Sequence, residues 1–235
     1  MPHPGEMSRA EKFIERVLDF GAIKFVPEGT RLNSGRISPY FFDSGSFSTN
    51  WRLLDLAEAY ARQIWDMDLS EEVIFGPAYK GIPLAVAVSI AIREGRGFKP
   101  GPEVGWAFNR KEPKDHGEGG TIVGATVNKK RVIIVDDVMT TGDSSGKAVE
   151  FVRSMGGYPI GCVIAFDRQE RSDESSLSAV QQFQETYGIP VRAVATVTDL
   201  ITFLRKVYEE NPRFNAETRE MVEKIRAYQE QYGAE

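Results

Sequence analysis

The stretch between Val132 and Val152 constrains the fold of this chain more than any other part of the sequence. It begins as an apolar run of strand character, meets two adjacent acids, Asp136 and Asp137, passes through a turn rich in hydroxyl groups, and changes to a helical period. Similar alternations of apolar strand and helical stretch occur along most of the chain. Near-continuous apolar strands must be covered on both faces, so the sequence predicts an α/β fold, a mostly parallel sheet flanked by helices.

The remaining strands and helices are predicted from the same two periods. Ser8 and Glu11 have capping-box spacing before an apolar face that ends at Gly21, so an amphipathic helix is expected near the start. The predicted strands are a short one near AIKFV, then EVIFG, GWAFN, RVIIVD, PIGCVIAFD and VRAVATV, with a hairpin around SPYFFDSG. Further helices are predicted over residues 49–65, over Pro83–Ile92, after the acidic turn, and along FNAETREMVEKIRAYQEQYG.

Composition limits the classes of function. The 235 residues with 41% hydrophobic content can bury one sizeable core, so a single domain over 1–235 is expected. A formal net charge of −5 argues against nucleic acid as a partner, because duplex binding relies on clustered Lys and Arg. The one cysteine, Cys162, excludes an intramolecular disulfide. The longest apolar stretch, Pro83–Ile92, has about half the ~20 residues of a membrane-spanning helix, and MPHPGEMSRAEKF has no leader pattern, so a cytoplasmic protein without membrane contact is expected.

The two acids mark a candidate ligand site. In an open parallel sheet, ligands bind beyond the carboxyl ends of the strands, which is where Asp136 and Asp137 fall. The turn Thr140–Ser144 then leads into a helix N-terminus, whose N–H groups and dipole favour a bound phosphate, and Gly142 permits close backbone approach. The carboxylates would accept hydrogen bonds from ribose hydroxyls or bind a magnesium ion. A phosphorylated sugar satisfies both demands.

Two other interpretations fit parts of this stretch. The acids could do no more than cap the following helix, and the Asp-Asp pair alone does not decide between a cap and a ligand site. A nucleoside-triphosphate P-loop is excluded, because GDSSGKA (142–148) is one residue short of that spacing and has Ala where Ser or Thr should follow the Lys.

Together with other segments, this stretch resembles a known family. Four apolar residues, two acids, two apolar residues and Thr-Thr-Gly resemble the phosphoribosyl pyrophosphate (PRPP) motif of type I phosphoribosyltransferases. The segments SGRISPYFFDSG (34–45), FGPAYKGIPLA (75–85), FNRKEPKDHGEGG (108–120) and FDRQER (166–171) resemble orotate phosphoribosyltransferases in the same order. The resemblance implies the type I phosphoribosyltransferase fold, with a helix and a small N-terminal hood over about the first 48 residues. It also implies phosphoribosyl transfer from PRPP to orotate in pyrimidine synthesis, magnesium (Mg2+) held mainly by PRPP, and a homodimer with shared sites.

The resemblance assigns roles to individual residues. The expected PRPP contacts are Tyr79, Lys80, Arg110, Lys111, Lys114, His116, Asp136, Asp137, Val138, Met139, Thr140, Thr141, Gly142, Asp143 and Ser144. The expected catalytic groups are Lys114, Asp136, Asp137, Arg110 and His116. The expected orotate contacts are Phe41, Phe42, Thr140 and Arg168. No direct metal ligand from the chain is assigned.

The segment NRKEPKDHGEGG (109–120) is the most informative of these in physical terms. A mobile cationic catalytic loop over 108–121 is expected, because its glycines let the backbone hinge over a ligand. The alternative is a solvated hairpin tip. Phosphoribosyl transfer builds negative charge on the departing pyrophosphate, so Lys114 and Arg110 are the candidates to stabilise it. His116 either assists them or is a surface residue.

Four further side chains complete the expected site. Lys80 follows a strand end, where its ammonium group can reach pyrophosphate; the alternative is a solvated loop lysine. Phe41 and Phe42 would offer an aromatic face to the orotate ring, although at least one of them is expected in the core. Arg168 would offer a fork of N–H donors to the orotate carboxylate.

Two positions depart from the family pattern. Asn33 stands where these enzymes usually carry a Lys that reaches PRPP, and Arg31 and Arg36 are the candidates to replace its charge. Asp143 stands where the phosphate loop more often has Thr, Ser or Gly. An acid there is compatible with a bound phosphate only if its side chain turns outward, for instance to cap the helix.

Two other functions stay open at the level of sequence. A non-enzymatic regulator that keeps the fold as a ligand sensor would have no use for the cations of RKEPKDHG. An enzyme for a purine or for another pyrimidine would differ from an orotate enzyme in only a few contacts. Arg168 discriminates between these bases, because a neutral base offers it no carboxylate.

Overall fold

The computed structural model describes residues 7–32, 34–95, 103–114, 120–140, 142–171, 175–210 and 216–234. In chain order, its elements are α1 (Arg9–Asp19), β1 (Ile23–Arg31), β2 (Ile37–Phe42), α2 (Asn50–Asp66), β3 (Val73–Phe75), α3 (Gly81–Gly95), β4 (Gly105–Lys114), β5 (Gly120–Gly124), β6 (Arg131–Val138), α4 (Asp143–Ser154), β7 (Tyr158–Asp167), α5 (Ala179–Tyr187), β8 (Val191–Thr196), α6 (Val197–Glu210) and α7 (Ala216–Tyr232).

The main sheet has the strand order β5-β4-β3-β6-β7-β8. Strands β4, β3, β6, β7 and β8 are parallel, whereas β5 pairs antiparallel with β4 at one edge. The predicted α/β fold with a mostly parallel sheet is confirmed. Because parallel strands share one direction, β3, β6 and β7 end at the same edge of the sheet, and the segments that follow them can form one site.

The central strand β6 shows why the strands are apolar throughout. Ile133 and Val135 belong to one core, formed with α1, α2, α3, α6 and α7, whereas Val132 and Ile134 belong to a second core with α4 and α5. All four side chains are fully buried, and each contributes about 1.5–3 kcal/mol of transfer free energy. Successive residues of a strand face opposite sides of the sheet. Because helices cover both sides, apolar residues do not alternate with polar ones along β6.

Helix α1 forms as the sequence predicts. The hydroxyl of Ser8 accepts from the backbone N–H of Glu11 at 3.1 Å, and the Glu11 carboxylate accepts from the Ser8 N–H at 2.6 Å. Gly21 follows the helix with φ +67°, a conformation that glycine adopts without a steric penalty. Phe13 and Ile14 are buried. The capping box and the buried face are therefore confirmed.

The hood is a separate two-stranded antiparallel sheet of β1 and β2. Its turn lies between Leu32 and Arg36, where the Leu32 N–H donates to the Arg36 carbonyl at 2.9 Å and Gly35 has φ +84°. The hairpin was predicted around residues 38–45, which is too late in the chain, because Ile37–Phe42 is a strand. Glycine supplies the positive φ at Gly35, whereas the alternating buried aromatics of β2 keep that strand extended.

Strand β4 is longer than predicted. The strand was expected to end near Asn109 and a loop to follow, yet β4 continues through Lys114, which pairs with Gly120 of β5. The charges are tolerated because this part of the hairpin is not fully buried, and the side chain of Lys111 is exposed. Residues 115–119 lie outside the described residues, so the expected loop motion stays a prediction.

Helices α5 and α6 were missed by the sequence-based prediction, although the sequence contains signals for both. Ser178 and Gln181 form a capping box at the start of α5. In α6, Leu200, Phe203 and Leu204 recur at helical spacing and are buried.

The apolar stretch Pro83–Ile92 lies inside α3, where Leu84, Val88 and Ile92 are buried. This confirms the predicted buried helix. Among the described residues, no helix combines the length and the apolar character that crossing a membrane requires.

Candidate active site

Three charged side chains lie at the carboxyl edge of the sheet. Lys80 follows β3, Asp137 is near the end of β6, and Arg168 follows β7. Strand β6 lies between β3 and β7, so Asp137 occupies the middle of this group. The strand order brings Lys80 into contact with Asp137 although they are 57 positions apart in the chain.

Asp137 faces the open side of this edge. Its Oδ2 accepts hydrogen bonds from Lys80 Nζ at 2.8 Å and from Ser44 Oγ at 2.7 Å. The Lys80 side chain is 69% exposed, whereas that of Asp137 is 11% exposed. Because the ammonium group of Lys80 remains in contact with water, an incoming ligand can replace its contact with Asp137.

Asp136 faces the interior. Its Oδ2 accepts from Ser145 Oγ at 3.2 Å, and its Oδ1 accepts from the backbone N–H of Asp137 at 3.0 Å. Burial raises the pKa of Asp136 to about 6, and the charge of Asp137 adds to the shift, while hydrogen bonds from Ser144 and Ser145 oppose it. The backbone carbonyl of Asp136 accepts from Tyr60 Oη at 2.6 Å, which ties this strand end to α2.

The turn after β6 leads directly into α4. Gly142 is the N-cap residue, with φ +80°, and as a glycine it has no side chain that could cap the first turn of the helix. A bound anion can therefore accept from these N–H groups. Asp143 is the first helical residue, and it is not the cap that the sequence analysis suggested.

The other residues of this turn differ in their access to a ligand. Thr140 and Ser144 are exposed. The side chain of Met139 is buried in the second core, so its expected PRPP contact is restricted to the backbone. Val138 packs against the first core, and Thr141 lies outside the described residues.

The segment between β3 and α3 is folded tightly. A Cβ added at Gly76 would lie 1.9 Å from the carbonyl oxygen of Gly81, so no other residue fits there without a backbone shift. This segment, which contains a cis peptide bond between Ala78 and Tyr79, presents Tyr79 and Lys80 at the surface.

The β4–β5 hairpin packs against this segment. Asn109 Oδ1 accepts from the backbone N–H of Ala78 at 3.0 Å, and Lys111 Nζ lies 4.4 Å from the ring centroid of Tyr79. The start of the predicted catalytic loop is therefore beside Lys80. For Lys114 the structure describes only the backbone, and His116 lies outside the described residues.

Arg168 is held differently from the groups around Asp137. Its guanidinium donates from Nε to Glu170 Oε1 at 2.7 Å and from Nη2 to Ser38 Oγ at 2.8 Å. It also lies over the ring of Tyr40, 4.2 Å from the centroid. The residue is buried, with contacts from β2 in the hood and from the segment after β7.

The two adjacent phenylalanines of the hood separate into different environments. Phe42 is buried and stacks on Phe166, with ring centroids 5.5 Å apart. Phe41 is 42% exposed. The prediction that at least one of them lies in the core is confirmed, and any contact of a ring face with a ligand falls to Phe41.

Comparison with known proteins decides the family. The family model for the phosphoribosyl transferase domain matches residues 45–197. The orotate phosphoribosyltransferase of Bordetella pertussis is 43% identical over 230 residues, which cover 96% of this chain and 97% of that protein. This chain belongs to the orotate phosphoribosyltransferase family. The predicted family, fold and enzyme class, a pentosyltransferase, are confirmed.

Two further members of the family match over most of their length. The Kluyveromyces lactis orotate phosphoribosyltransferase is 43% identical over 227 residues, covering 95% of each chain. The crystal structure of the Francisella tularensis orotate phosphoribosyltransferase superposes with a TM-score of 0.78 at 34% identity, covering 95% of this chain and all of that one.

Several contact residues of this orotate phosphoribosyltransferase family member were missed by the sequence analysis. They are Ser38, Tyr40, Ser44, Tyr60, Ser145 and Glu170. Ser38, Tyr40, Ser44 and Glu170 belong to segments that carry the family resemblance, so their positions gave a signal. Tyr60 gave none, because it sits in a helix whose apolar spacing explains it equally well as a core residue.

Proposed function

We propose that this chain transfers the 5-phosphoribosyl group of PRPP to orotate, giving orotidine 5′-monophosphate and pyrophosphate, with the site residues identified from its sequence. The observation that carries the proposal is the Asp137 carboxylate, which lies beside Lys80 and before the uncapped N-terminus of α4. Acceptors for sugar hydroxyls, a cation for pyrophosphate and N–H donors for the 5′-phosphate thus lie at one strand end.

PRPP binding requires an exchange of partners at Asp137. In the structure, its Oδ2 is engaged by Ser44 and Lys80. The ribose hydroxyls would take over the carboxylate, and the released ammonium group of Lys80 would bind pyrophosphate oxygens. The 5′-phosphate would accept from the N–H groups of α4 and from the hydroxyls of Thr140 and Ser144.

In the chemical step, the bond between the ribose C1 and pyrophosphate breaks while a pyrimidine nitrogen approaches C1. Positive charge develops on the sugar and negative charge on the leaving group. Lys114 and Arg110 would stabilise the leaving oxygens, with His116 donating a hydrogen bond to them. The contact of Lys111 with Tyr79 supports this assignment, because the start of the loop then lies beside the segment between β3 and α3 that carries Lys80.

Magnesium is the implied cofactor, and it would be held mainly by PRPP. In the described part of the chain, no group of three or more His, Cys, Asp or Glu side chains is arranged to hold a metal. Asp136 is turned inward, so Asp137 is the carboxylate that can accept from water or sugar hydroxyls around the ion. The ion would neutralise charge on pyrophosphate.

Orotate would be recognised through its carboxylate and its ring. The bonds to Glu170 and Ser38 engage Nε and Nη2 of Arg168, so the ligand carboxylate would be met by Nη1. The exposed ring of Phe41 would cover the pyrimidine face, and Thr140 would contact its edge. A neutral base would leave Arg168 without this partner, which disfavours a purine.

The direct test follows the ultraviolet absorbance of orotate in a mixture of purified protein, PRPP and magnesium. Absorbance should fall with orotate and remain steady without PRPP. Adenine and uracil serve as alternative acceptors, and orotate should be preferred over both. Preference for adenine or uracil would overturn the orotate assignment.

We also propose that the enzyme is a cytoplasmic homodimer, in which the loop carrying Lys114 serves the partner's site. Lys114→Ala keeps the PRPP pocket, and Asp137→Asn keeps the loop. The assay uses PRPP well below its KM, where the weaker PRPP binding of Asp137→Asn leaves that variant with little activity of its own. When the two variants are unfolded and refolded together, random pairing makes about half of the dimers mixed, and roughly a quarter of wild-type activity should return. Activity that stays at the level of the separate variants would show that the loop serves its own subunit.

A further inference from the structure

Helix α7 is joined to the segment that follows Arg168. The antiparallel bridge between Glu170 and Gly233 connects the two backbones, and the N–H of Arg171 donates to the carbonyl of Tyr232 at 2.9 Å. The residue that pairs with the Arg168 guanidinium is therefore itself fixed by the end of α7.

Further hydrogen bonds extend this join on both sides. The carbonyl of Gln169 accepts from Gln229 Nε2 at 3.1 Å and from the backbone N–H of Ala234 at 2.9 Å. Arg171 Nη2 donates to the carbonyl of Gln231 at 2.9 Å. Gln169, Glu170 and Arg171 thus each have a contact with α7 or with the residues after it.

Aromatic packing adds a second connection. The ring of Tyr228 meets that of Tyr40 edge to face, with centroids 6.4 Å apart, and Arg168 lies on the ring of Tyr40. The Tyr228 hydroxyl is buried beside the side chains of Arg168 and Glu170. Burial raises the pKa of this hydroxyl to about 12, and the nearby charge of Glu170 adds to the shift.

Glu170 lies between two guanidinium groups. Its carboxylate is 2.7 Å from Arg168 and 3.7 Å from Arg36, whose guanidinium lies over the ring of Tyr232 at 4.8 Å. A buried ion pair offsets the cost of desolvating its charges only when the distances and angles between its groups are well fixed. The end of α7 supplies part of that geometry.

We propose that α7 is a positioning element for base recognition: Tyr228 and Gln229 hold Arg168 and Glu170 in the arrangement that receives the carboxylate of the base. This inference rests on the proposed function, because it requires Arg168 to bind an acidic pyrimidine. The inference goes further in one respect: α7 would control the affinity for the acidic base without contacting Lys80 or Asp137.

The test compares three variants of α7. Tyr228→Leu removes the edge-to-face ring, Gln229→Leu removes the donor to Gln169, and Tyr228→Phe keeps the ring while removing the hydroxyl. We expect the KM for orotate to rise roughly ten-fold in the two leucine variants, since small displacements of a positioned group weaken binding strongly. The KM for PRPP should stay within about two-fold, because the groups around Asp137 are unchanged. Tyr228→Phe should stay within about two-fold of the wild-type values, because it keeps the ring that packs edge to face on Tyr40.

A control and a second acceptor separate positioning from general loss of structure. Arg226→Ala changes the same helix, where Arg226 makes ion pairs only with Glu223 and Glu230 in the described residues, and it should leave both KM values unchanged. With uracil, which has no carboxylate, the leucine variants should match the wild type.

Other outcomes would overturn the proposal. Equal rises in both KM values, losses that track the melting temperature, or no change in the KM for orotate would each do so. Wild-type protein that does not use orotate would sink the proposed function and this inference together. If the wild-type protein uses orotate and the leucine variants have the wild-type KM for it, only the inference about α7 is wrong.

Discussion

In the proposed function the site has a PRPP side and a base side, and these two sides hold their charges in opposite ways. On the PRPP side, Lys80 is largely solvated and reaches Asp137 from a neighbouring strand end. On the base side, Arg168 is buried and touches Glu170, Ser38 and Tyr40. The first arrangement can exchange its partners when a charged substrate arrives, whereas the second is organised before the base binds.

This difference has an energetic basis. The ammonium group of Lys80 is solvated, so it can leave Asp137 when PRPP offers both groups other partners. Removing one partner of a buried pair costs about 3–5 kcal/mol, so Arg168 and Glu170 stay together. In the proposed function, PRPP carries many charges and would replace the contact between Lys80 and Asp137, whereas orotate offers one carboxylate and would depend on a donor that is already in place.

The largest expected effect is on the PRPP side, at the leaving group. Lys114→Ala should lower turnover by roughly 10²–10³-fold, because the lost group stabilises charge that develops in the transition state. PRPP binding, measured by calorimetry, should weaken far less. Lys130→Ala, at the opposite end of β6 where Lys130 pairs with Glu72, is the matched control. Equal losses in binding and turnover would contradict the role of Lys114.

The buried acid should show up in the pH dependence of stability. Burial raises the pKa of Asp136 to about 6 in the folded state, above the ordinary value of 3.8 for an aspartate. Between these values the folded protein keeps a proton that the unfolded chain has lost, so this group destabilises the fold as pH rises from about 4 to about 6, by on the order of 3 kcal/mol. Asp136→Asn should lack this loss.

Urea unfolding at several pH values measures this pH-dependent loss of stability. The difference in unfolding free energy between Asp136→Asn and wild type should grow in favour of the variant from about pH 4 to pH 7. Asp137→Asn is the matched variant at the outward-facing acid. Parallel stability curves for Asp136→Asn and wild type would show that Asp136 is ionised in the fold like an ordinary carboxyl.

On the base side, the guanidinium group of Arg168 can be removed while a positive charge is kept. Arg168→Lys should raise the KM for orotate by roughly 10–100-fold, because an ammonium group cannot bind Glu170, Ser38 and a ligand carboxylate in one plane. The KM for PRPP should not change. Arg192→Lys, at an exposed position on β8, controls for the substitution itself. An unchanged KM for orotate would place the base elsewhere.

On the PRPP side, Asp137→Asn should weaken PRPP binding by roughly ten-fold, because the amide is a poorer acceptor for ribose hydroxyls than the carboxylate. Orotate affinity should be nearly unchanged. Calorimetric titration of each substrate measures both values. Loss of orotate binding with intact PRPP binding would move Asp137 to the other side of the site.

The smallest effect is expected at a position outside the described residues. Asn33→Lys should tighten PRPP binding by a few-fold, on the order of 0.2–1 kcal/mol, because it restores a cation that the family usually carries. Arg36 is an unsuitable replacement, since it donates to the carbonyl of Arg171 and lies on Tyr232. Unchanged affinity would indicate that another cation, such as Arg31, already fills the place.

The PRPP side was predictable because its parts are local in the sequence. A buried strand, two acids, a glycine turn and a helix follow one another between Val132 and Val152, and each leaves a pattern that short-range rules interpret. Lys80 was predictable for a related reason, since it lies in the short segment that follows the apolar strand β3. The structure keeps all of these groups at one edge of the sheet.

The different surroundings of the two acids were not predictable. Asp136 and Asp137 have the same chemistry and adjacent positions, yet one is buried against Ser145 and the other meets Ser44 from the hood. Successive residues of a strand point to opposite sides, but which side is open depends on the helices that cover the sheet.

The sequence by itself determined the alternation of strands and helices, the phosphate turn and the identity of the charged groups, because each depends on residues within about one helical turn or strand of one another. Only the tertiary structure decided how the base site is held. Ser38 and Arg168 are 130 positions apart, and Gln229 lies 60 positions beyond Gln169. Contacts over such distances depend on how the hood, the sheet and α7 pack, and no local pattern specifies that packing.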